Sequence, residues 1–304
     1  QFPGSLGRDN SVIRMGFWPG GDRDGNPFVK EPTTLEVAAA LRASIMKCYF
    51  REVRNLRRRL TFKRVDNVVA ALEAKLSRNL FVAGHKADIS RDEILDTLAG
   101  IRETIMTEHN GLFVHLADNL ISKVEIFGLF FASLDIRQDS SVHEAVLEAV
   151  AAGTPALPDN YASLTDNEKV HALLNIKEVI DPKVLENPLH QDCLQTIKTI
   201  RQIQATNGEQ GCNRYIISHS TSVLSVIEVY GMFLMSGWKK EEMTVDIVPL
   251  FETIDDLRHA GQVMKMLYEN EDYLEHLRRR QCKQTIMLGF SDGTKDGGYL
   301  MANW

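Results

Sequence analysis

Short apolar runs that stop at charged residues constrain the fold of this chain more than any other sequence feature. The run at residues 285–288 is followed by a glycine-rich segment that carries Asp292 and Lys295. Four branched or long residues in a row are typical of a short buried strand rather than a one-sided helix. We expect the glycine-rich segment to form a turn and a helix to occupy residues 297–304. Asp292 and Lys295 would then lie at the carboxyl end of a strand, the edge that carries active sites in parallel α/β folds.

A second apolar run, at residues 247–251, leads directly into Glu252. Thr253 followed by Asp256 is a capping-type start for a helix over residues 254–268, so Glu252 takes the last strand position before the turn. Two acids delivered by two strand ends can hold a hard divalent cation and leave coordination positions for substrate oxygens and water. Neither acid alone supports this prediction, because single acids favour helix N-termini.

Three further segments repeat the pattern of an apolar run followed by polar residues. In residues 130–141 the run gives way to Arg137, whose planar fork of donors suits phosphate or carboxylate oxygens. Residues 214–222 end in hydroxyl groups and His219 before a helix that begins near residue 223. Residues 14–29 open like a strand and continue into a charged, glycine-studded loop.

Some of these polar residues also have a structural interpretation. Arg137 could be the ion-pair partner of Asp135 or Asp139. His219 has no partner that the sequence identifies, so we predict a hydrogen-bonded packing histidine rather than a base. A basic run near residue 60 is more often a solvated helix face than a nucleic-acid site. Its members are Arg51, Arg54, Arg57, Arg58, Arg59, Lys63 and Arg64.

The composition is that of a soluble globular chain, with 44% hydrophobic and 25% charged residues over 304 positions. No apolar run approaches the roughly 20 residues needed to cross a bilayer and no signal-peptide pattern is present, so we expect no membrane contact. The formal net charge of -6 argues against nucleic-acid binding. The cysteines lack the paired short spacing of a zinc site or a disulfide framework, so we expect a reducing, cytoplasmic setting. They are Cys48, Cys193, Cys212 and Cys282.

Helical patterns account for most of the remaining sequence. Ser90 and Glu93 form a capping box for one of the predicted helices. The predicted helices cover residues 32–60, 90–109, 112–127, 142–152, 168–175 and 192–206. Residues 153–167, which contain proline and asparagine, are the best candidate for a surface linker, although they do not define a firm domain boundary.

Five segments, in order along the chain, resemble successive signatures of one enzyme family, phosphoenolpyruvate carboxylase. The resemblance spans essentially the whole chain, and the first two signatures are highly specific. The segments are GGDRDGNPFV (20–29), LDIRQ (134–138), YIISHSTS (215–222), FETIDDL (251–257) and GFSDGTKD (289–296).

This resemblance implies both a fold and a reaction. The fold is a predominantly helical α/β arrangement, a partial (βα)8 TIM-like barrel with many additional helices. The reaction converts phosphoenolpyruvate and bicarbonate to oxaloacetate and phosphate with Mg²⁺ or Mn²⁺, through carboxyphosphate and a metal-bound enolate. The family also implies a homotetramer.

The signatures assign roles to individual residues by resemblance. The family's metal-ligating glutamate and aspartate correspond to Glu252 and Asp292. Its catalytic lysine corresponds to Lys295, and the arginine of LDIRQ, which is catalytic and holds the substrate phosphate, corresponds to Arg137.

Other family features are missing from this sequence. No His-Pro pair occurs, whereas the family places a catalytic histidine in a His-Pro-Thr strand, and the family's mobile arginine- and glycine-rich loop is also not found. We therefore expect residues 1–304 to be a single central portion of a larger carboxylase, inactive alone and with an open sheet. Two alternatives are a non-catalytic truncated barrel that mediates association, and another metal-dependent barrel lyase that forms an enolate.

Overall fold

Two compact units make up the chain in the computed structural model, which describes residues 13–82, 84 and 88–304. The first unit contains the described parts of Gln1–Phe17 and Glu36–Ser133, together with Ile203–Gly211. The second contains Trp18–Leu35, Leu134–Gln202 and Cys212–Trp304. Helices predominate among the described residues, and none of these helices is long and apolar enough to cross a membrane.

The first unit is mainly helical. Apolar residues spaced three and four apart on its helices form one shared core, which includes Val53, Leu72, Ile101 and Val124. The helices are α1 (Glu31–Arg59, in this unit from Glu36 onward), α2 (Asp66–Phe81), α3 (Arg91–Glu108) and α4 (Val114–Phe127). The helices predicted at 32–60, 90–109 and 112–127 are confirmed, whereas α2 is not predicted by the sequence analysis.

A parallel sheet forms the centre of the second unit. Two short strands, β1 (Gly16–Phe17) and β2 (Ser133–Leu134), lie outside it. The sheet consists of β3 (Ile136–Asp139), β4 (Arg214–Ser218), β5 (Asp246–Phe251) and β6 (Met287–Leu288), hydrogen-bonded in that order. Buried residues Ile216, Val248 and Leu250 occupy the two central strands, as continuous apolar runs predict for a sheet covered on both faces.

Each strand of this sheet is followed in the sequence by a helix. The helices of the second unit are α5 (Ser140–Gly153), α6 (Asp166–Leu174), α7 (Pro188–Asn207, in this unit to residue 202), α8 (Val223–Met235), α9 (Ile254–Glu269), α10 (Glu271–Arg279) and α11 (Phe290–Asn303). Strand β3 precedes α5, β4 precedes α8, β5 precedes α9 and β6 precedes α11. The α/β prediction is confirmed by this alternation. The strands do not close into a barrel within residues 13–82, 84 and 88–304.

Two local predictions are wrong. Arg137 lies inside β3, opposite Ile216, rather than after the strand. The last helix begins at Phe290 rather than at residue 297, so Asp292 and Lys295 lie in its first turns and not on a glycine-rich turn. The expected break occurs later, at Gly298, where φ is 80° and ψ is 162°.

Candidate active site

The carboxyl edge of the parallel sheet gathers the polar residues that the sequence singles out. Asp139 is the last residue of β3, His219 follows β4 and Glu252 follows β5. Asp292 lies in the first turn of α11, just after β6. Because the strands are parallel, their carboxyl ends share one edge, where α/β folds place their functional groups.

Gly289 allows Glu252 and Asp292 to approach each other. A Cβ atom on Gly289 would lie 3.2 Å from Cγ of Glu252 and 3.3 Å from Oδ2 of Asp292. The N–H of Gly289 donates to the carbonyl of Phe251 over 2.8 Å, which fixes this close passage. The Glu252 side chain and the Asp292 carboxylate therefore both lie against the same glycine.

The donor chemistry of this pair fits a divalent cation such as magnesium or manganese. Carboxylate oxygens are the ligands that hard cations prefer. The Glu252 side chain is 10% exposed, and that of Asp292 is 49% exposed. The described residues contain no cluster of three or more His, Cys, Asp or Glu side chains arranged to hold a metal. Water and substrate oxygens would therefore have to complete the coordination of a cation held by these two acids.

Lys295 stands beside this carboxylate pair. Its Nζ lies 3.4 Å from Oδ1 of Asp292, one helical turn away, and its side chain is 76% exposed. An exposed pair of this kind contributes little to stability. The ammonium group is consequently available to a bound molecule.

Arg137 forms a bidentate pair with Asp22 rather than with Asp135 or Asp139. Its Nε donates to Oδ1 of Asp22 over 2.7 Å, and its Nη2 donates to Oδ2 over 2.9 Å. Asp24 lies 3.6 Å from the same Nη2. The guanidinium carbon also lies 4.8 Å from the centre of the Trp18 ring, within cation–π range.

The glycine-studded loop at residues 20–29 runs beside β3. Arg137 donates its N–H to the carbonyl of Gly21 over 3.0 Å, and its own carbonyl accepts from the N–H of Arg23 over 2.9 Å. The buried guanidinium of Arg23 donates to Thr34 Oγ1 over 2.6 Å, and that hydroxyl donates to the carbonyl of Gly20 over 2.7 Å. These bonds fix the loop on both sides of Asp22.

His219 lies at the expected end of a strand, but the sequence does not identify its partners. Its Nδ1 lies 2.5 Å from Oδ2 of Asp139, and its Nε2 lies 3.6 Å from Oε2 of Glu252. Its backbone N–H donates to the same Glu252 oxygen over 3.0 Å. The prediction of a hydrogen-bonded histidine is confirmed, but that of a packing residue is wrong, because the side chain is 58% exposed. The hydrogen bond to Asp139 raises the pKa of His219 above its ordinary value.

A cavity of about 610 Å³ opens beside this edge. Its walls include Asp24 and Lys30 from the loop region, Asp139 from β3 and Leu189 from the first turn of α7. This volume lies within the usual range for a small-molecule site. Lys30 forms no ion pair among the described residues, so the cavity wall carries its ammonium group together with the carboxylates of Asp24, Asp139 and Asp192.

Comparison with known proteins agrees with the five signatures. The profile of the family described as phosphoenolpyruvate carboxylase matches residues 1–88 and 83–304. The phosphoenolpyruvate carboxylases of Nitrosomonas eutropha and Nitrosomonas europaea are 30% and 31% identical to the chain. Both alignments cover 97% of this chain but 36% of the relative, so the chain spans about a third of the length of these proteins. On the strength of matches that extend along almost all of its length, the chain belongs to the phosphoenolpyruvate carboxylase family.

Proposed function

We propose that this chain supplies the metal-binding and phosphate-binding residues of a carboxylase that converts phosphoenolpyruvate and bicarbonate to oxaloacetate and phosphate. The observation that supports this function most directly is the approach of Glu252 and Asp292 across Gly289, on the edge of the sheet that also carries His219. Mg²⁺ or Mn²⁺ would bind between the two acids. When bound, such a cation supplies positive charge that stabilises anionic oxygens formed during the reaction.

Arg137 would bind and orient the phosphoryl group. Asp22 occupies Nε and one hydrogen of Nη2, and Nη1 donates to none of the described residues. A guanidinium held along one edge can still offer its other donors to phosphate oxygens. Positioning the transferred group is a main contribution of a protein to the catalysis of phosphoryl transfer.

Lys295 would supply a second positive charge to the substrate. Its exposed ammonium is held loosely by Asp292, so a carboxylate or phosphate oxygen can replace that partner at little cost.

Within the complete enzyme we propose a homotetramer, the assembly implied by the family. We propose that the 304-residue chain has no turnover alone, because it spans about a third of the length of its relatives.

The test uses the complete protein of which this sequence is part. Glu252→Gln and Asp292→Asn remove one ligand charge each with little change of shape. Each substitution should lower Mn²⁺-dependent oxaloacetate formation by about a hundredfold or more, as expected when a group acting on developing charge is lost. Asp255→Asn is the matched control, since this neighbouring acid is 77% exposed and its side chain pairs with no residue of the described chain except His259.

Two outcomes would contradict the proposal. One is full activity in both ligand variants. The other is an equal loss of activity in Asp255→Asn, which would show a general effect of charge at this surface. Binding of Mn²⁺, followed by its electron paramagnetic resonance signal, separates loss of the cation from loss of chemistry.

A further inference from the structure

The loop at residues 20–29 has no role in the function proposed above, yet a close backbone contact restricts its path. A Cβ atom on Gly21 would lie 1.9 Å from the carbonyl oxygen of Asp135, closer than any side chain can come. The loop can therefore approach β3 only because this residue is glycine. Asp22, the next residue, is placed opposite Arg137 by that contact.

The side chains of Asp22 and Arg137 then meet in a defined geometry. The carboxylate engages Nε and Nη2 along one edge of the guanidinium, while Trp18 covers its face. Only 17% of the Arg137 side chain and 27% of the Asp22 side chain are exposed. A long arginine held along both an edge and a face loses its rotamer freedom before any ligand binds.

We propose that Asp22 is a positioning residue for Arg137, acting through the guanidinium and not on the substrate. This inference rests on the proposed role of Arg137 in holding the phosphoryl group. Asp22 fixes the plane of the guanidinium so that the free Nη1 edge meets the phosphate in one orientation. The loop at residues 20–29 places Asp22 opposite Arg137.

The experiment is a double-mutant cycle in the complete protein with phosphoenolpyruvate as the varied substrate. Arg137→Ala should raise KM and lower kcat. Asp22→Asn should raise KM about tenfold with a smaller change in kcat, because the fork remains but its orientation is lost. In the Arg137→Ala background, Asp22→Asn should have no further effect on KM.

A second arginine–aspartate pair provides the control. Arg280 donates to Asp246 over 2.6 Å, and 14% and 26% of the two side chains are exposed. Asp246 is the first residue of β5, so this pair lies at the end of the strand opposite to Glu252. Asp246→Asn should lower thermal stability as Asp22→Asn does, but leave KM for phosphoenolpyruvate within about twofold. Additive effects of Asp22→Asn and Arg137→Ala on KM would contradict the positioning role of Asp22, as would an equal KM change in Asp246→Asn. Neither result would affect the proposed role of Arg137. An Arg137→Ala variant with unchanged kinetics would remove the proposed role of Arg137, and with it that of Asp22.

A separate groove in the first unit involves the basic run near residue 60. Some arginines of that run have ion-pair partners and others do not. Arg54 and Arg57 pair with Glu73, and Arg64 pairs with Glu108. Arg58 and Arg59 form no hydrogen bond or ion pair among the described residues, so their charge is not compensated.

Both arginines line an open groove of about 780 Å³ between α1 and α4. Asn55, His115 and Asn119 line the same groove and also lack side-chain hydrogen-bond partners within the described chain. Its remaining polar walls are Glu52 and Lys123, which pair with each other. The groove also lies at the N-terminal end of α4, where the helix dipole is positive. Taken together, the unpaired side chains of the lining offer more hydrogen-bond donors than acceptors.

From this excess of donors we infer that the groove binds a small molecule with one or more phosphate groups. Two guanidinium forks and two amide groups match the multiple acceptor oxygens of phosphate. The inference is independent of the proposed carboxylase activity.

Calorimetric titration of the 304-residue chain with pyrophosphate tests this groove. Arg58→Gln and Arg59→Gln should each weaken binding about tenfold, the effect of losing one charge-assisted contact. Arg51→Gln is the control, because Arg51 is an exposed arginine on the same helix that has no partner among the described residues and does not line the groove. Absence of binding at millimolar pyrophosphate would overturn the inference. Equal weakening in Arg51→Gln would also overturn it, as would tighter binding of a short single-stranded DNA with the same arginine dependence.

Discussion

Glu228 shows how strongly a single buried charge depends on its surroundings. This glutamate lies on α8 and is 5% exposed. Burial raises its pKa to about 8, and the nearby Glu144 carboxylate adds to the shift. A carboxyl group with a raised pKa is held in its neutral form by the fold, so ionisation acts against the folded state.

The sign of the effect gives a pH-dependent prediction. Because the pKa of Glu228 is higher in the folded chain than in the unfolded chain, stability is lost as pH rises from about 4.5 to about 8. Glu228→Gln should therefore stabilise the chain, relative to the unsubstituted chain, more at pH 8 than at pH 5, by about 1 kcal/mol or more, roughly the free energy of one pKa unit. Urea unfolding at the two pH values measures the difference. Glu186 is exposed, so Glu186→Gln should change the stability equally at the two pH values. A pH-dependent change as large as that of Glu228→Gln would contradict the prediction.

At the scale of single elements, α9 fixes the position of Glu252. The N–H of Asp256 donates to Thr253 Oγ1 over 3.1 Å, and the N–H of Thr253 donates to Asp256 Oδ2 over 3.0 Å. The N–H of Glu252 lies 3.3 Å from the same aspartate oxygen. The helix cap thus also holds the backbone of a proposed metal ligand.

Loss of this cap should affect both stability and metal binding. Thr253→Ala should reduce the free energy of unfolding by about 1 kcal/mol, as is typical for an N-cap hydroxyl, and should weaken Mn²⁺ binding. The control is Thr294→Ala in α11, where the exposed hydroxyl bonds to the carbonyl of Phe290 and where alanine favours the helix. Chemical unfolding and Mn²⁺ titration of both variants check the prediction, and a destabilised Thr294→Ala with an intact Thr253→Ala would contradict it.

Elements with a strong local signal could be predicted from the sequence. The run at 247–251 forms β5, and Thr253 with Asp256 marks the start of α9. The start of α11 could not be predicted, because its glycines favour a turn when considered alone. In the fold they permit close packing, since a Cβ atom on Gly297 would lie 2.4 Å from Cγ1 of Ile254. Tertiary contact overrides local propensity there.

The candidate site depends more than the elements do on contacts between distant residues. The positions of Glu252 and Asp292 at the carboxyl edge of the sheet could be predicted, because each follows an apolar run. The partners of Arg137 and His219 could not, since Asp22 and Asp139 are 115 and 80 residues away in the sequence. Composition and periodicity carry no information about such pairings.

At the scale of the whole molecule, a shared cation would couple ligand binding to folding. If Glu252 and Asp292 bind one ion only when the second unit is folded, Mn²⁺ should stabilise that unit. The expected gain is about 2.7 kcal/mol at a concentration of 100 times Kd. Thermal unfolding with and without Mn²⁺ measures it, and Asp292→Asn should abolish the shift. A shift of equal size in Asp292→Asn would place the ion elsewhere.

The pairing of Asp22 with Arg137 also bears on how the chain acquires its function during synthesis. The two residues are separated by 115 positions, so the pair can form only after a long loop has closed. Contacts of such high sequence separation form slowly compared with local helices. Helices α1 to α4 lie between the two residues in the sequence and can form before Arg137 leaves the ribosome. The Asp22–Arg137 geometry that we propose for phosphate binding would then be completed late, after the polypeptide between the two residues has folded.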